Sequence, residues 1–293
     1  KIKNDPSQRE DDFKGDPTDH FSNGYAEGNK WTVPEVDARI TSGWFWGNGK
    51  STPKSMEQLA NMYFSSVGRN APLLLNIPPN NKGTVDDAIL NRVKEFGNAV
   101  KETFTNNIAA GKNVSCTASE VRGNDIAYSP NNVLDGNQDT YWTTDDKTEA
   151  TEATLEVNLG ETKQFDVVSI EEAIKFGQRI SEFKVEYKNG SDEWKVFGSG
   201  KTVGAKRLCR RSPVKADKLR ITVKTSEKAE HKAPIISEVG VYRAAADFAL
   251  GNGIPEGLEI IEDTSKDFTF SGSWGNDTGE AYTGGTGRWA NPG

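Results

Sequence analysis

The period of the hydrophobic pattern changes near residue 108, and few folds accommodate such a change. Beyond it lie short alternating segments: "ATLEVNLG", "FDVVSIEEAI", "SEFKVEYKNG", "EWKVFGSG", "KLRITVKT" and "ISEVGVYRA", separated by Gly, Asn or Asp turns. Alternation puts every second side chain on one face of a strand. Short strands at such spacing predict an antiparallel β-sandwich, here over residues 109–243.

Before the change the chain reads differently. "EVDARI" offers a short strand, followed by the aromatic turn Trp44-Phe45-Trp46. Met56, Leu59, Met62, Tyr63 and Val67 then recur near helical spacing behind a capping box, Ser55 with Gln58, and Gly68 ends that helix. "APLLLNIPPN" is a continuous apolar run closed by prolines, the pattern of a parallel strand buried on both faces. A second helix carries Ile89, Leu90, Val93, Phe96, Val100 and Phe104 on one face, with Thr84 or Asp86 as N-cap. Strand, helix, strand, helix predicts the tail of a parallel α/β domain, most simply the C-terminal end of a (β/α)8-like barrel. Chemistry in such barrels sits where strands run into the following loops, which puts the 44–46 aromatics and Asn76 on that rim. The fold class expected is therefore α/β plus all-β. Residues 1–108 are assigned to the barrel part, 109–243 to the sandwich and 244–293 to the start of a further β module.

Composition removes several function classes. The formal charge of -7 argues against a nucleic-acid binder held by phosphate contacts. With His20 and His231 the only histidines, a His-based zinc site or a Ser-His-Asp triad has little to draw on. No apolar run approaches the roughly 18–20 residues that span a bilayer, and the opening "KIKNDPSQREDDFKGDP" has no apolar signal-peptide core. The chain reads as an internal piece of a longer protein. Cys116 and Cys209 are compatible with one disulfide or with two free thiols.

The densest local signal is "NNVLDGNQDTYWTT", residues 131–144. Asp135, Asn137, Asp139 and Thr140 crowd oxygen donors into a turn around Gly136, and Trp142 supplies a buried anchor. Hard cations such as Ca²⁺ take six to eight oxygens, carbonyls among them. The alternative is a plain Asp-Gly turn with Thr140 as a cap. "YSPNNVLDGNQDTYW" and "ISEVGVY" together resemble the two ends of the discoidin, or coagulation-factor type C, fold, which includes carbohydrate-binding module family 32. That resemblance implies a structural Ca²⁺ held by the Asn132 and Asn137 carbonyls, the Asp135 side chain, Thr140 through carbonyl and hydroxyl, and Glu238. Sugar modules present exposed aromatic rings; Tyr128, Phe176 and Trp194, with Gln178 and Arg179 nearby, are candidates, although such rings more often serve core or domain-interface packing.

"VPEVDARITSGWFW", "KSMEQLANMYFSSVGRNAPLLLNIPPNNKGTV", "TFTNNIAAGKNVSCTAS" and "IKFGQRISEFKVE" resemble the C-terminal part of family 29 α-L-fucosidases. They are most similar to the subgroup that cleaves α-1,3- and α-1,4-linked fucose from Lewis-type glycans. The resemblance implies a retaining hydrolase, with an Asp nucleophile and a Glu acid/base in a "VGNE"-like segment. Neither motif occurs in this sequence, so the chain alone is expected to be inactive, with the N-terminal remainder of its own catalytic domain as partner. It further implies that Trp44, or second Phe45, lines the pocket for fucosylated glycans. Trp46 stands where the subgroup often has Tyr. Glu35 and Asp37 are two apart and share a strand face. The family position gives them only polar contacts, and Glu35 is a candidate for hydrogen-bonding the sugar next to fucose. The tail "IIEDTSKDFTFSGSWGND" resembles golvesin-like modules, with Phe268, Phe270 and Trp274 on one sheet face. A row of β modules of this kind suits an extracellular, secreted or surface-attached bacterial protein.

Overall fold

A computed structural model describes residues 34–147, 150–226 and 231–249, and the backbone of strands Trp274–Asp277 and Gly287–Ala290. The expectations for the opening loop and for Phe268 and Phe270 lie outside the described residues. In the tail, Trp274–Asp277 pairs antiparallel with Gly287–Ala290.

The first part holds strand β1 (Val36–Arg39), helix α1 (Met56–Ser66), strand β2 (Leu73–Asn76) and helix α2 (Asp87–Thr105). The capping box is present: Ser55 Oγ accepts from the Gln58 amide at 3.1 Å, and Gln58 Oε1 accepts from the Ser55 amide at 3.0 Å. Asp86, not Thr84, is the N-cap of α2. β1 and β2 pair in parallel, Val36 with Leu73 through Arg39 with Asn76, with α1 as the crossover. Ile40, Leu59 and Ile89 are fully buried where these elements meet.

Two expectations need correction. Leu74 is 54% exposed, so β2 is not buried on both faces. Among the described residues β2 pairs only with β1, and alternation turns Leu74 away from the helices. Leu90 also lies off the buried stripe of α2, which runs instead through Ile89, Ala99 and Thr103. The described residues contain this two-stranded parallel sheet and no closed barrel.

The second part is one seven-stranded sheet. Its strands are β3 (Ser115–Ala118), β4 (Trp142–Thr143), β5 (Glu152–Glu172), β6 (Ile180–Lys188), β7 (Lys195–Gly200), β8 (Arg207–Thr225) and β9 (Ile235–Tyr242). The order is β4-β9-β5-β8-β6-β7, with β3 on β5, and every pairing is antiparallel. The sequence suggested two strands where β5 runs continuously. Register shifts after Asn158 and Phe165 bend it, so that Leu155 and Val157 from one half meet Val168 and Ile170 from the other in a single core. The first half of β8 escaped the pattern reading because "RLCRRSPVKA" holds charges and Pro213. That proline falls in the register shift opposite Phe165 and Val167, where the ladder asks for no amide. Cys116 and Cys209 are free thiols, and burial pushes both up, to about 12 and about 11.

The two parts share a hydrophobic seam. Phe64 on α1, Ala99 on α2, Val167 on β5, Leu208 on β8 and Phe248 form one buried cluster. Phe248 is 0% exposed and its ring lies 5.3 Å from Phe64, 5.6 Å from Tyr63 and 6.0 Å from Phe96. Polar bonds run alongside: the Leu208 amide donates to the Gly68 carbonyl at 2.9 Å, the Ala205 amide to Asn70 Oδ1 at 2.7 Å and the Val241 amide to Asn107 Oδ1 at 2.9 Å. Residues 244–249, assigned from the sequence to the next module, thus close this seam. Among the described residues no helix is long and apolar enough to cross a membrane.

Candidate functional site

Two places gather the residues singled out above. The first is the turn after β1. Thr41 bridges to Pro53, and the Lys54 amide donates to the Ile40 carbonyl at 2.8 Å, closing the base of the loop. On the loop, Trp44 is 42% and Phe45 86% exposed. Asn76, the last residue of β2, donates through Nδ2 to the Trp44 carbonyl at 2.9 Å, and the Arg39 guanidinium lies 5.6 Å from the Trp44 ring. Trp44, Phe45 and Asn76 therefore meet at the carboxyl ends of two parallel strands, as the rim argument requires. Glu35 does not join them. It precedes β1 beside Pro72, whose carbonyl accepts from the Val36 amide. That is the opposite strand end, about 13 Å of extended chain away.

The second is the 132–140 loop with the middle of β9. Asp135 Oδ1 accepts from the Asn137 amide at 2.8 Å, and the Asp135 amide approaches the Asn132 carbonyl at 3.5 Å. Thr140 Oγ1 lies 2.7 Å from Asp135 Oδ2 and 2.8 Å from the Asn137 carbonyl. A hydroxyl has one proton, so one of those two oxygen pairs has no hydrogen between its members. Glu238 faces the Gly136 and Asn137 amides, yet its Oε1 is buried with no partner. Burial first, then the Asp135 and Glu171 carboxylates, push Glu238 up to about 7. Asn132, Asp135, Asn137, Thr140 and Glu238 are thus brought together, with surplus oxygen and surplus negative charge. That arrangement fits a hard cation. No cluster of three or more Asp, Glu, His or Cys side chains with metal-binding placement occurs among the described residues, so carbonyl and hydroxyl oxygens would have to complete the shell. Beside it opens a polar cavity of about 400 Å³ lined by Gln138, Ser169, Glu171 and Tyr242 among others.

Residues 115–239 match the F5/8 type C domain. The wider chain is similar to GH29 α-L-fucosidases. A Ruminococcus gnavus GH29 fucosidase, solved in complex with fucose, is 54% identical, with a TM-score of 0.72 over 77% of this chain and 44% of that one. Alpha-L-fucosidase 1 of Arabidopsis thaliana is 36% identical over 78% of this chain and 44% of its own length. A putative alpha-L-fucosidase 1 of Oryza sativa subsp. japonica is 34% identical over 73% of this chain and 40% of its own. The chain spans less than half the length of the curated relatives it matches. The matches run well beyond the type C domain.

Trp142 is the anchor that the sequence suggested: it is fully buried and its indole donates to the Glu120 carbonyl at 2.9 Å. The aromatic candidates for sugar stacking divide. Trp194 lies under the cations of Arg220 and Lys188, at 4.1 and 4.9 Å. Tyr128 and Phe176 flank Tyr141 at 5.6 and 5.2 Å, and Phe176 stays 45% exposed. Sequence reasoning missed Glu172. It is fully enclosed, accepting from the Arg179, Ile180 and Gly204 amides at 2.7, 3.0 and 2.7 Å, and burial pushes it to about 7. Nothing in a single "EE" pair distinguishes it from its salt-bridged neighbour Glu171.

Proposed function

We propose that this chain is the C-terminal part of a secreted, retaining α-L-fucosidase that removes α-1,3- or α-1,4-linked fucose from Lewis-type glycans. The observation that carries the reading is the aromatic turn at the carboxyl ends of β1 and β2, on a unit that shares its core with a type C domain. In this reading Trp44, with Phe45, forms an apolar wall of the fucose pocket. The open face of Leu74 receives the rest of a (β/α)8-like barrel from the N-terminal remainder of the same protein. Retention requires two carboxylates about 5–5.5 Å apart, one attacking the anomeric carbon and one serving as acid/base. This sequence has no "VGNE"-like segment, so both belong to that remainder and the chain alone hydrolyses nothing.

A Ca²⁺ ion bound by Asn132, Asp135, Asn137, Thr140 and Glu238 has a structural role here: its charge offsets the two facing carboxylates. Glu35, at the far strand end, is left as a surface residue.

The test is fucose release by the full-length protein from Lewis trisaccharides and from an α-1,2-linked isomer. Release from the former and not the latter supports the reading; release from neither overturns it. A second reading rests on the exposed Phe176 beside Tyr141 and Tyr128. In it the type C domain is a carbohydrate-binding module, and calorimetric titration with a glycan panel decides between binding and mere support.

A further inference from the structure

The aromatic turn is held in place more firmly than an exposed loop requires. Phe45 and Trp44 gain little burial, yet three side-chain bonds fix the backbone that carries them. Thr41 Oγ1 donates to the Gly43 carbonyl at 2.8 Å, Asn76 Nδ2 to the Trp44 carbonyl at 2.9 Å, and Trp46 Nε1 to Asp86 Oδ2 at 2.7 Å. Asp86 is fully engaged, since its Oδ1 accepts from Asn80 Nδ2 at 2.9 Å. Asn80 in turn uses Oδ1 to collect the Lys82 and Thr84 amides and the Thr84 hydroxyl at 3.0–3.1 Å. The 80–86 loop is therefore one hydrogen-bonded bracket. Asp86 also stands at the N-cap of α2, where its carboxylate would ordinarily take an amide of its own helix. It makes no such bond. Both oxygens are committed across the loop instead, one of them to a residue 40 positions away. A group that leaves its usual local partner to hold an exposed aromatic turn preorganises a binding surface, because order present beforehand is not lost on binding.

We infer that Asp86, seconded by Asn76, is a positioning residue that fixes the Trp44-Phe45 turn as a stacking platform for substrate. The inference rests on the pocket reading given under Proposed function. It asks for a carboxylate in particular, since Trp46 and Asn80 both present N–H donors. Asp86→Asn keeps size and N-cap chemistry while turning one acceptor into a donor that faces another donor. Trp46→Phe removes the bond from the other side and leaves Asp86 intact.

The experiment uses the full-length protein and a fucosylated substrate, with Trp44→Ala as reference. Asp86→Asn and Trp46→Phe should each raise KM roughly tenfold with kcat within about twofold, the pattern of lost uniform binding. The independent readout is the Trp46 indole Nε1–H resonance. In the wild type it should shift at a pH below the ordinary carboxylate range, because bonds from Asn80 and Trp46 hold Asp86 low; in Asp86→Asn it should stay still. If Trp44→Ala impairs turnover while Asp86→Asn and Trp46→Phe do not, the inference is overturned and the pocket reading stands. If Trp44→Ala is silent, the pocket reading fails and the positioning role falls with it, whatever the resonance does. A fall in kcat at unchanged KM, or an indole resonance indifferent to Asp86, also overturns it.

Discussion

The guanidinium of Arg210 lies 4.3 Å from the centroid of the Phe64 ring. One belongs to β8 and the other to α1, so this pair joins the two parts of the chain. Arg210 also donates to the Phe248 carbonyl at 3.2 Å and to Asn61 Oδ1. Its burial lowers the guanidinium pKa to about 10, still far above neutrality, so the group crosses the seam charged. Phe248 is the most deeply buried ring of this seam. Phe248→Ala should destabilise the fold by about 3–5 kcal/mol, measured by urea unfolding. Helical and β signals should be lost in one shared transition. Loss of the helices at lower urea, with the sheet unaffected, would contradict a common core.

Gly68 shows how closely α1 approaches β8. A Cβ there would stand 2.3 Å from the Phe64 carbonyl oxygen and 3.0 Å from Leu208 Cβ. Neither backbone can yield while the Leu208 amide bonds the Gly68 carbonyl. Gly68→Ala should cost about 1–3 kcal/mol through overpacking, visible as a lowered melting temperature. Gly97→Ala is the control, with nothing within 4 Å of its added methyl.

Two carboxylates give the sheet a pH dependence near neutrality. Glu238 and Glu172 are each raised to about 7, the first by burial and the nearby Asp135 and Glu171, the second by burial. An acid raised by folding adds stability below the ordinary carboxylate range and loses it as pH rises through the raised value. In chelator, the melting temperature should therefore fall between about pH 5 and pH 8. Calcium should restore the Glu238 share and leave the Glu172 share, since the latter is enclosed by amides. Asp135→Ala should abolish the calcium response. Melting curves with and without chelator across this range provide the check, and curves that coincide at every pH would remove the ion from the proposal.

The pocket reading gives a kinetic expectation. Trp44→Ala in the full-length protein should lower kcat/KM by one to two orders of magnitude, the equivalent of a contact worth about 1–3 kcal/mol. Glu35→Ala should leave it unchanged, because Glu35 lies at the other end of β1. Steady-state assays on one fucosylated substrate suffice for both.

Features written in local patterns were legible in the sequence. The Ser55–Gln58 box, the parallel run ending at Asn76, the anchor Trp142 and the crowded 132–140 turn all depend on neighbours a few residues away. What escaped depended on distant partners. The Trp46–Asp86 bond spans 40 residues, and Phe248 sits in a stretch with no period because its partners lie on α1 and α2. The first half of β8 was hidden by Arg210, whose charge serves the seam, by Arg211, which donates to the Val196 carbonyl of β7, and by Pro213 in the register shift. Leu74 read as core because three consecutive leucines carry no alternation, although the strand imposes it.

The seam has a mechanical consequence. Phe64, Leu208 and Phe248 are buried from both sides of the point where the hydrophobic period changes, and a joint made that way cannot pivot without opening to water. Phe176 is therefore held at a constant angle and distance from Trp44. The β-sheet unit acts on the rest of the molecule as a ruler, not as a leash.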